Sequence, residues 1–360
     1  MQSLRVLVAF LVVALAACGE DGTGPLAPSA AGADTGGFPD VLSAYGMVTI
    51  QNGAVVPNTG VTPYDLNTPL FSDYAVKFRT VWMPPGTSVA YQDTARFEFP
   101  VGTVITKSFG FPADFRVAGA PTKWLETRVL VHAASGWTGT SYVWDDAQRV
   151  ATNNPGGEIV DLSFIDASGQ TQSPRYLVPS QGQCQKCHAN DGAMITLGPW
   201  AMQLNRDYAY ADGTDNELAR WTKLGLLTGA PTPDKAPVLS VFDDPSTGDV
   251  TLRARAYLQA NCSYCHNGNG EARTTGLVLL YTETDPYALG VCKAPVAAGK
   301  AAPTQKYDIV PGAPEASILP YRMVATDPGV AMPELGRSLE HVEAVDLVSL
   351  WITGMSGGCP

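Results

Sequence analysis

Histidine is scarce in this chain: His132, His188, His266 and His341 are the only four among 360 residues. Basic residues are few as well, 23 Lys and Arg against 34 Asp and Glu, and they never form a run. A formal charge of −11 without a basic patch excludes nucleic-acid binding, because nothing supplies an electrostatic footprint for phosphates. Beyond the N-terminal segment no apolar stretch approaches the roughly 20 residues that a bilayer-spanning helix needs. Trp82, Trp124, Trp137 and Trp144 read as core or rim aromatics of a β domain rather than as a sugar platform. No convincing catalytic cluster is legible in that part of the chain, and no catalytic residue is assigned.

What is present begins at the N-terminus. Arg5 and the unbroken apolar run Val6 to Ala14 have the make-up of a signal peptide, too short to span a bilayer. Leu15-Ala16-Ala17-Cys18 looks like a bacterial lipobox, with small residues before a cysteine whose thiol carries diacylglycerol. Residues 1–17 are therefore expected to be removed, leaving Cys18 lipidated on an exported protein whose membrane attachment is that anchor alone. An ordinary signal peptide with a nearby cysteine is the alternative. Gly19 rather than Asp after the cysteine points, by resemblance to Gram-negative lipoproteins, to the outer membrane.

Two of the four histidines directly follow a Cys-x-x-Cys: Cys184-Gln185-Lys186-Cys187-His188 and Cys262-Ser263-Tyr264-Cys265-His266. Two thiols so spaced on a tight turn reach both vinyl groups of one porphyrin. The imidazole that follows is then held over the ring, where it binds iron. The pattern predicts two covalently bound haem c groups, with Cys184, Cys187, Cys262 and Cys265 as thioethers and His188 and His266 as axial ligands. A redox dithiol and a four-cysteine zinc site are the alternatives. Zinc ribbons place their pairs about 15–20 residues apart, and these pairs stand far further apart. Of the seven cysteines, Cys18 and the four in the motifs leave Cys292 and Cys359. An oxidising compartment favours joining these as a disulfide, with two unpaired thiols as the alternative.

Residues 18–37, rich in Gly, Ala, Pro, Ser and Asp, predict a flexible tether. Residues 38–178 alternate short apolar runs with Gly, Pro and Asn and predict an antiparallel sandwich or jelly-roll-like domain. In the run Val76–Trp82, Val76, Phe78 and Trp82 share one face while Lys77 and Arg79 take the other. Helical texture then takes over. Residues 179–240 form a first haem segment, with a helix through Asn216–Leu224 capped by Thr214-Asp215 and stopped by Gly225. Residues 230–248 read as a linker. Residues 241–360 form a second haem segment, opened by an amphipathic helix from Val250 to Ala260 that delivers Cys262. A helix with the stripe Val342, Val345, Val348, Ile352 and Met355 closes it. The expected fold class is multidomain: an N-terminal all-β sandwich-like domain followed by mainly α cytochrome c-type haem domains.

Further stretches carry a resemblance. They are Thr62-Pro63-Tyr64-Asp65-Leu66-Asn67-Thr68-Pro69-Leu70-Phe71-Ser72-Asp73-Tyr74, Glu126-Thr127-Arg128-Val129-Leu130, Gly198-Pro199, Gln203-Leu204-Asn205-Arg206-Asp207-Tyr208 and Val330-Ala331-Met332-Pro333-Glu334-Leu335-Gly336-Arg337-Ser338. With the two motifs, these make the chain over about residues 60–355 resemble a family of exported bacterial di-haem c-type cytochromes with an N-terminal β domain of unassigned role. Cys292 and Cys359 match cysteines of that family. Gly312-Ala313-Pro314-Glu315-Ala316-Ser317-Ile318-Leu319 is similar to a stretch that follows the haem loop in mono-haem cytochrome c domains. The resemblance implies Met332, in a proline-braced loop, as sixth ligand of the second haem, with Met323 a weaker rival. For the first haem Met194 ranks before His132 and Met202, and an open position is the remaining choice. His341 reads as a surface residue of the last helix. The implied function is electron transfer in the periplasm or at the outer membrane with a redox partner protein, by a carrier rather than a catalyst. The alternatives are a di-haem peroxidase and the cytochrome subunit of a periplasmic dehydrogenase.

Overall fold

The computed structural model describes residues 26–32, 37–296 and 299–360. The expected signal peptide, Cys18 and most of the expected tether lie outside the described residues. Where the tether is described it rests on the body: Ser29 donates its N–H to Tyr45 O at 3.0 Å, and Ala30 and Ala31 pack on the neighbouring core.

Alternating β-branched and aromatic residues form six strands: β1 (Thr62–Tyr64), β2 (Val76–Trp82), β3 (Val104–Pro112), β4 (Thr122–Ala133), β5 (Gly136–Trp144) and β6 (Ala151–Asn153). They make one antiparallel sheet whose neighbours follow chain order from edge to edge. One face presents Val104, Val129, Val131 and Tyr142, and is covered by Leu42, Tyr45, Met47 and the hairpin Val48–Gln51/Ala54–Pro57. The opposite face presents cross-strand rows: Val81–Ile105–Leu130–Gly139, then Arg79–Lys107–Arg128–Ser141, then Lys77–Phe109–Glu126–Val143. Later segments cover this second face. Leu204, Leu218, Trp221 and Leu227 join Val81 and Ile105 at one end, while Phe164, Tyr176 and Val178 join Phe109 and Phe111 at the other. Lys77 and Arg79, on the face opposite Val76, Phe78 and Trp82 as the alternation predicts, therefore point toward these covering segments.

The expected fold class does not hold. Strand exceeds helix, 27% against 21%, so the chain is mostly β rather than a β domain followed by mainly helical haem domains. The β part is a single sheet covered on both faces by loops and hairpins, not two sheets facing each other. Strand pairs also continue into the segment expected to be helical, at 189–194, 207–216 and 227–228. Six helices occur among the described residues: α1 (Gln181–His188), α2 (Ala201–Leu204), α3 (Glu217–Lys223), α4 (Val250–Asn261), α5 (Ile318–Val324) and α6 (Val342–Thr353). The physical reason is composition. With 36 Gly and 28 Pro the chain keeps interrupting helical hydrogen bonding, and apolar side chains are buried against the sheet instead of along helix stripes.

α4 and α6 do pack together, burying Ala254, Leu258, Val348, Trp351 and Ile352. Cys292 and Cys359 are joined as a disulfide that ties the C-terminus to this cluster's loop. No helix among the described residues is long and apolar enough to cross a membrane.

Candidate functional site

The first motif rides on α1. Ser180 starts the helix with a capping box: its hydroxyl accepts the Gln183 N–H at 3.3 Å, and Gln183 Oε1 accepts the Ser180 N–H at 2.9 Å. Just before the cap, Pro179 O accepts Ser141 Oγ at 3.2 Å, which lays α1 over the row that runs on to Arg128, Lys107 and Arg79. Cys184 and Cys187, three positions apart, then share a helix face. Asp191 and Gly192 take left-handed φ of 50° and 79°, so the chain reverses in a tight hairpin pairing Ala189 with Met194. That reversal returns Ile195 to the end of α1, where its carbonyl lies 2.6 Å from His188 Nδ1. A carbonyl only accepts, so Nδ1 carries the proton and Nε2 keeps its lone pair. Burial pushes the imidazole down to about 4, which keeps it neutral.

The second motif is the turn that ends α4. Asp249 caps the helix by accepting the Leu252 N–H at 2.8 Å. Beyond Asn261 the coil closes once more, with the N–H groups of Cys265 and His266 on Cys262 O at 3.2 and 2.9 Å. Cys262, Cys265 and His266 border a cavity of about 550 Å³, a size typical of cofactor sites. Met323, Met332 and Cys187 border the same cavity, so the two motifs meet there. His266 is also pushed down to about 4 by burial, and its Nδ1 is buried with no hydrogen-bond partner. Met332 is fixed on both sides: its N–H donates to Arg322 O at 2.9 Å, and its carbonyl accepts Arg337 Nη2 at 2.8 Å. Met323, on α5, borders the cavity and also packs in the core between α4 and α6.

Burial raises Cys184 and Cys187 and pushes Cys262 and Cys265 up to about 12. A redox dithiol works through a lowered pKa, the opposite shift. All four are free thiols, whereas Cys292 and Cys359 are bridged. Among the described residues no three His, Cys, Asp or Glu side chains converge as a structural zinc site requires. Paired free thiols on one turn, a neutral imidazole beside each pair and a cofactor-sized cavity fit covalently attached haem.

The chain before β2 braces the second motif. Phe71 donates its N–H to Asn261 Oδ1 at 2.7 Å, holding the residue that precedes Cys262. Asp73 Oδ1 accepts the N–H groups of Ser338 and Leu339 at 2.7 and 2.8 Å. Arg337, between them and Met332, also donates to the carbonyls of Ala325, Arg322 and Leu339 at 2.8, 3.1 and 3.0 Å. His341, expected at the surface, is enclosed: its ring stacks on Phe71 at 4.1 Å, and its side chain is 11% exposed. An apolar box of Phe71, Tyr74, Phe242 and Tyr257 was there to receive it.

The three candidates for the first sixth ligand sit in different surroundings. Met194 immediately precedes Ile195, which supports the Nδ1 edge of His188, and its methyl lies against Gly139 on the sheet. His132 stacks on Trp137 at 4.6 Å and meets Phe99 O through Nδ1 at 2.8 Å. Both border a cleft of about 1190 Å³ that touches Gly182, Gln185, Lys186 and Ala189, the side of α1 turned from Cys184 and Cys187. Met202 is core, packed with Trp200, Leu239 and Ala256.

Several residues that shape the site escape motif reading. Asp191-Gly192 is a standard hairpin signal and was legible. Asp73, Asn261 and Arg337 carry no signal of their own, since their partners are distant in sequence. Compared with known proteins, the chain matches no family model, no curated protein and no solved structure.

Proposed function

We propose that this chain is an exported electron carrier that holds two haem c groups on a mostly β scaffold, anchored to a membrane through lipid on Cys18. The observation that carries this reading is the pair of Cys-x-x-Cys-His turns bordering one cavity through Cys187, Cys262, Cys265 and His266. When bound, each haem supplies an iron that takes up and releases one electron. The chain does the rest. Cys184, Cys187, Cys262 and Cys265 fix the two rings. His188, oriented by Ile195 O, and His266 offer Nε2 to the iron atoms, and Met332 offers a thioether that raises the potential relative to a second histidine. The acidic surface, at a formal −11, favours a partner with a basic docking face.

The test is the pyridine haemochrome spectrum and intact mass of the protein exported from a host with a working cytochrome c maturation system. Two thioether-linked haems per chain are expected. Colourless protein at the mass of the unmodified chain rejects the proposal.

A further inference from the structure

Lys186, Lys293 and Arg322 all border the cavity of the second motif, and their situations differ. Lys186 is exposed on α1. Lys293 is 5% exposed, and its Nζ lies 3.5 Å from Asp308 Oδ2, so a carboxylate of the same wall answers it. Arg322, on α5, is half-buried, and among the described residues no carboxylate stands within ion-pair distance of it. Its Nε donates to Val330 O at 2.9 Å, while its Nη groups have no hydrogen-bond partner among the described residues. The remaining acids of the wall, Glu271 and Glu334, are exposed.

Burial lowers Arg322 from its ordinary value of 12.5, yet a guanidinium remains protonated at neutral pH. Withdrawing such a group from water with its Nη donors idle is costly until an acceptor arrives. The residue is also held in place. Its carbonyl accepts the Met332 N–H at 2.9 Å and Arg337 Nη2 at 3.1 Å, and its Nε carries Val330. Cys262, Cys265, His266 and Met332 border the same space, so the ring proposed for it lies between the thiols and this arginine's segment. A porphyrin joined through its vinyl edge presents two propionates at the opposite edge. A fork of N–H donors matches a carboxylate with two parallel bonds.

We infer that Arg322 binds one propionate of the porphyrin attached through Cys262 and Cys265. The inference rests on the haem reading above and adds to it how the second ring is turned: the end of α4 holds its thioether edge, and α5 receives its acidic edge. Arg322 then fixes two things at once, the carboxylate through its Nη groups and the Met332 loop through Nε and its carbonyl. No covalent bond forms or breaks in this step; it is ion pairing alone.

The test is a redox titration of the haem-loaded wild type, Arg322→Gln and Arg322→Lys, with haem content measured on each. Arg322→Gln is expected to lower one of the two midpoint potentials by about 59 mV, a tenfold change for one electron, and to leave the other in place. Arg322→Lys keeps the charge and is expected to hold the wild-type potential. Both replacements give up the Nε bond to Val330 O, so an effect that runs only through the loop appears in both. Loss of one haem from Arg322→Gln alone supports the assignment as the shift does. Equal changes in the two variants, or unchanged potentials in both, overturn the propionate assignment and leave the haem reading standing. No haem in the wild type overturns both.

Discussion

Asp73 holds the backbone N–H of Ser338 at 2.7 Å across 265 residues of sequence, and through it the β half closes over the Met332 loop. The same carboxylate oxygen takes Leu339, and Ser338 Oγ lies 3.1 Å from the other oxygen. Asp73 is only 1% exposed, so no water replaces what it supplies.

Asp73→Ala leaves two backbone donors without an acceptor. Each orphan costs about 1–3 kcal/mol, so a stability loss of about 2–6 kcal/mol is expected in urea unfolding. Asp73→Asn retains one accepting oxygen and should lose less. In the haem-loaded protein the alanine variant should also weaken the sulfur-to-iron charge-transfer band. Unchanged stability and spectrum would show that the clamp is idle.

Met332→Ala removes the thioether but keeps the loop, because the Met332 backbone contacts to Arg322 and Arg337 do not involve its side chain. One midpoint potential should fall and the charge-transfer band should vanish, with haem content still two per chain. Met323→Ala should instead destabilise the core between α4 and α6 by about 2–5 kcal/mol and spare the band. The reverse pattern assigns the sixth ligand to Met323.

Glu217 gives a pH signature. It is fully buried, Oε1 accepts the Asp65 N–H at 2.7 Å, and Oε2 has no partner. Burial raises its pKa from 4.5 to about 9. The folded state then binds a proton that the unfolded state has released. The contribution of this group is fully present below about pH 4.5 and is lost as pH rises to about 9. The slope is at most about 1.4 kcal/mol per pH unit. Glu217→Gln should flatten it, as read from unfolding midpoints between pH 5 and 9 (about that window,). An equally steep curve would place the titrating group elsewhere.

Cys292→Ser opens the loop closed by the disulfide, with its partners 67 residues apart. The chain-entropy relation gives about 4 kcal/mol for a loop of that length. Unfolding of Cys292→Ser, with Cys359→Ser in the same chain to avoid a stray thiol, should show a loss of that order. The two haems should remain attached, since neither cysteine borders the motif cavity.

The candidate site residues could be read because each Cys-x-x-Cys-His is local: Cys184 to His188 and Cys262 to His266 each complete their pattern within five positions. The fold class was not. The helices at 250–261 and 342–353 could be read from periodicity, yet they were extended in expectation to a whole helical half, where Gly and Pro enforce loops and hairpins. Lys77 and Arg79 show one limit of such patterns. Alternation tells which residues share a face, and it cannot tell that the polar-looking face will be covered by α1.

The meander order of β1 to β6 has a consequence for how the molecule is made. Strands that pair with their sequence neighbours assemble early, since little chain must be searched, whereas a contact between positions 73 and 338 must wait for almost the whole polypeptide. In that interval the scaffold exists while both cysteine turns still lie open, so on the proposed haem reading attachment would precede the closing of the latch.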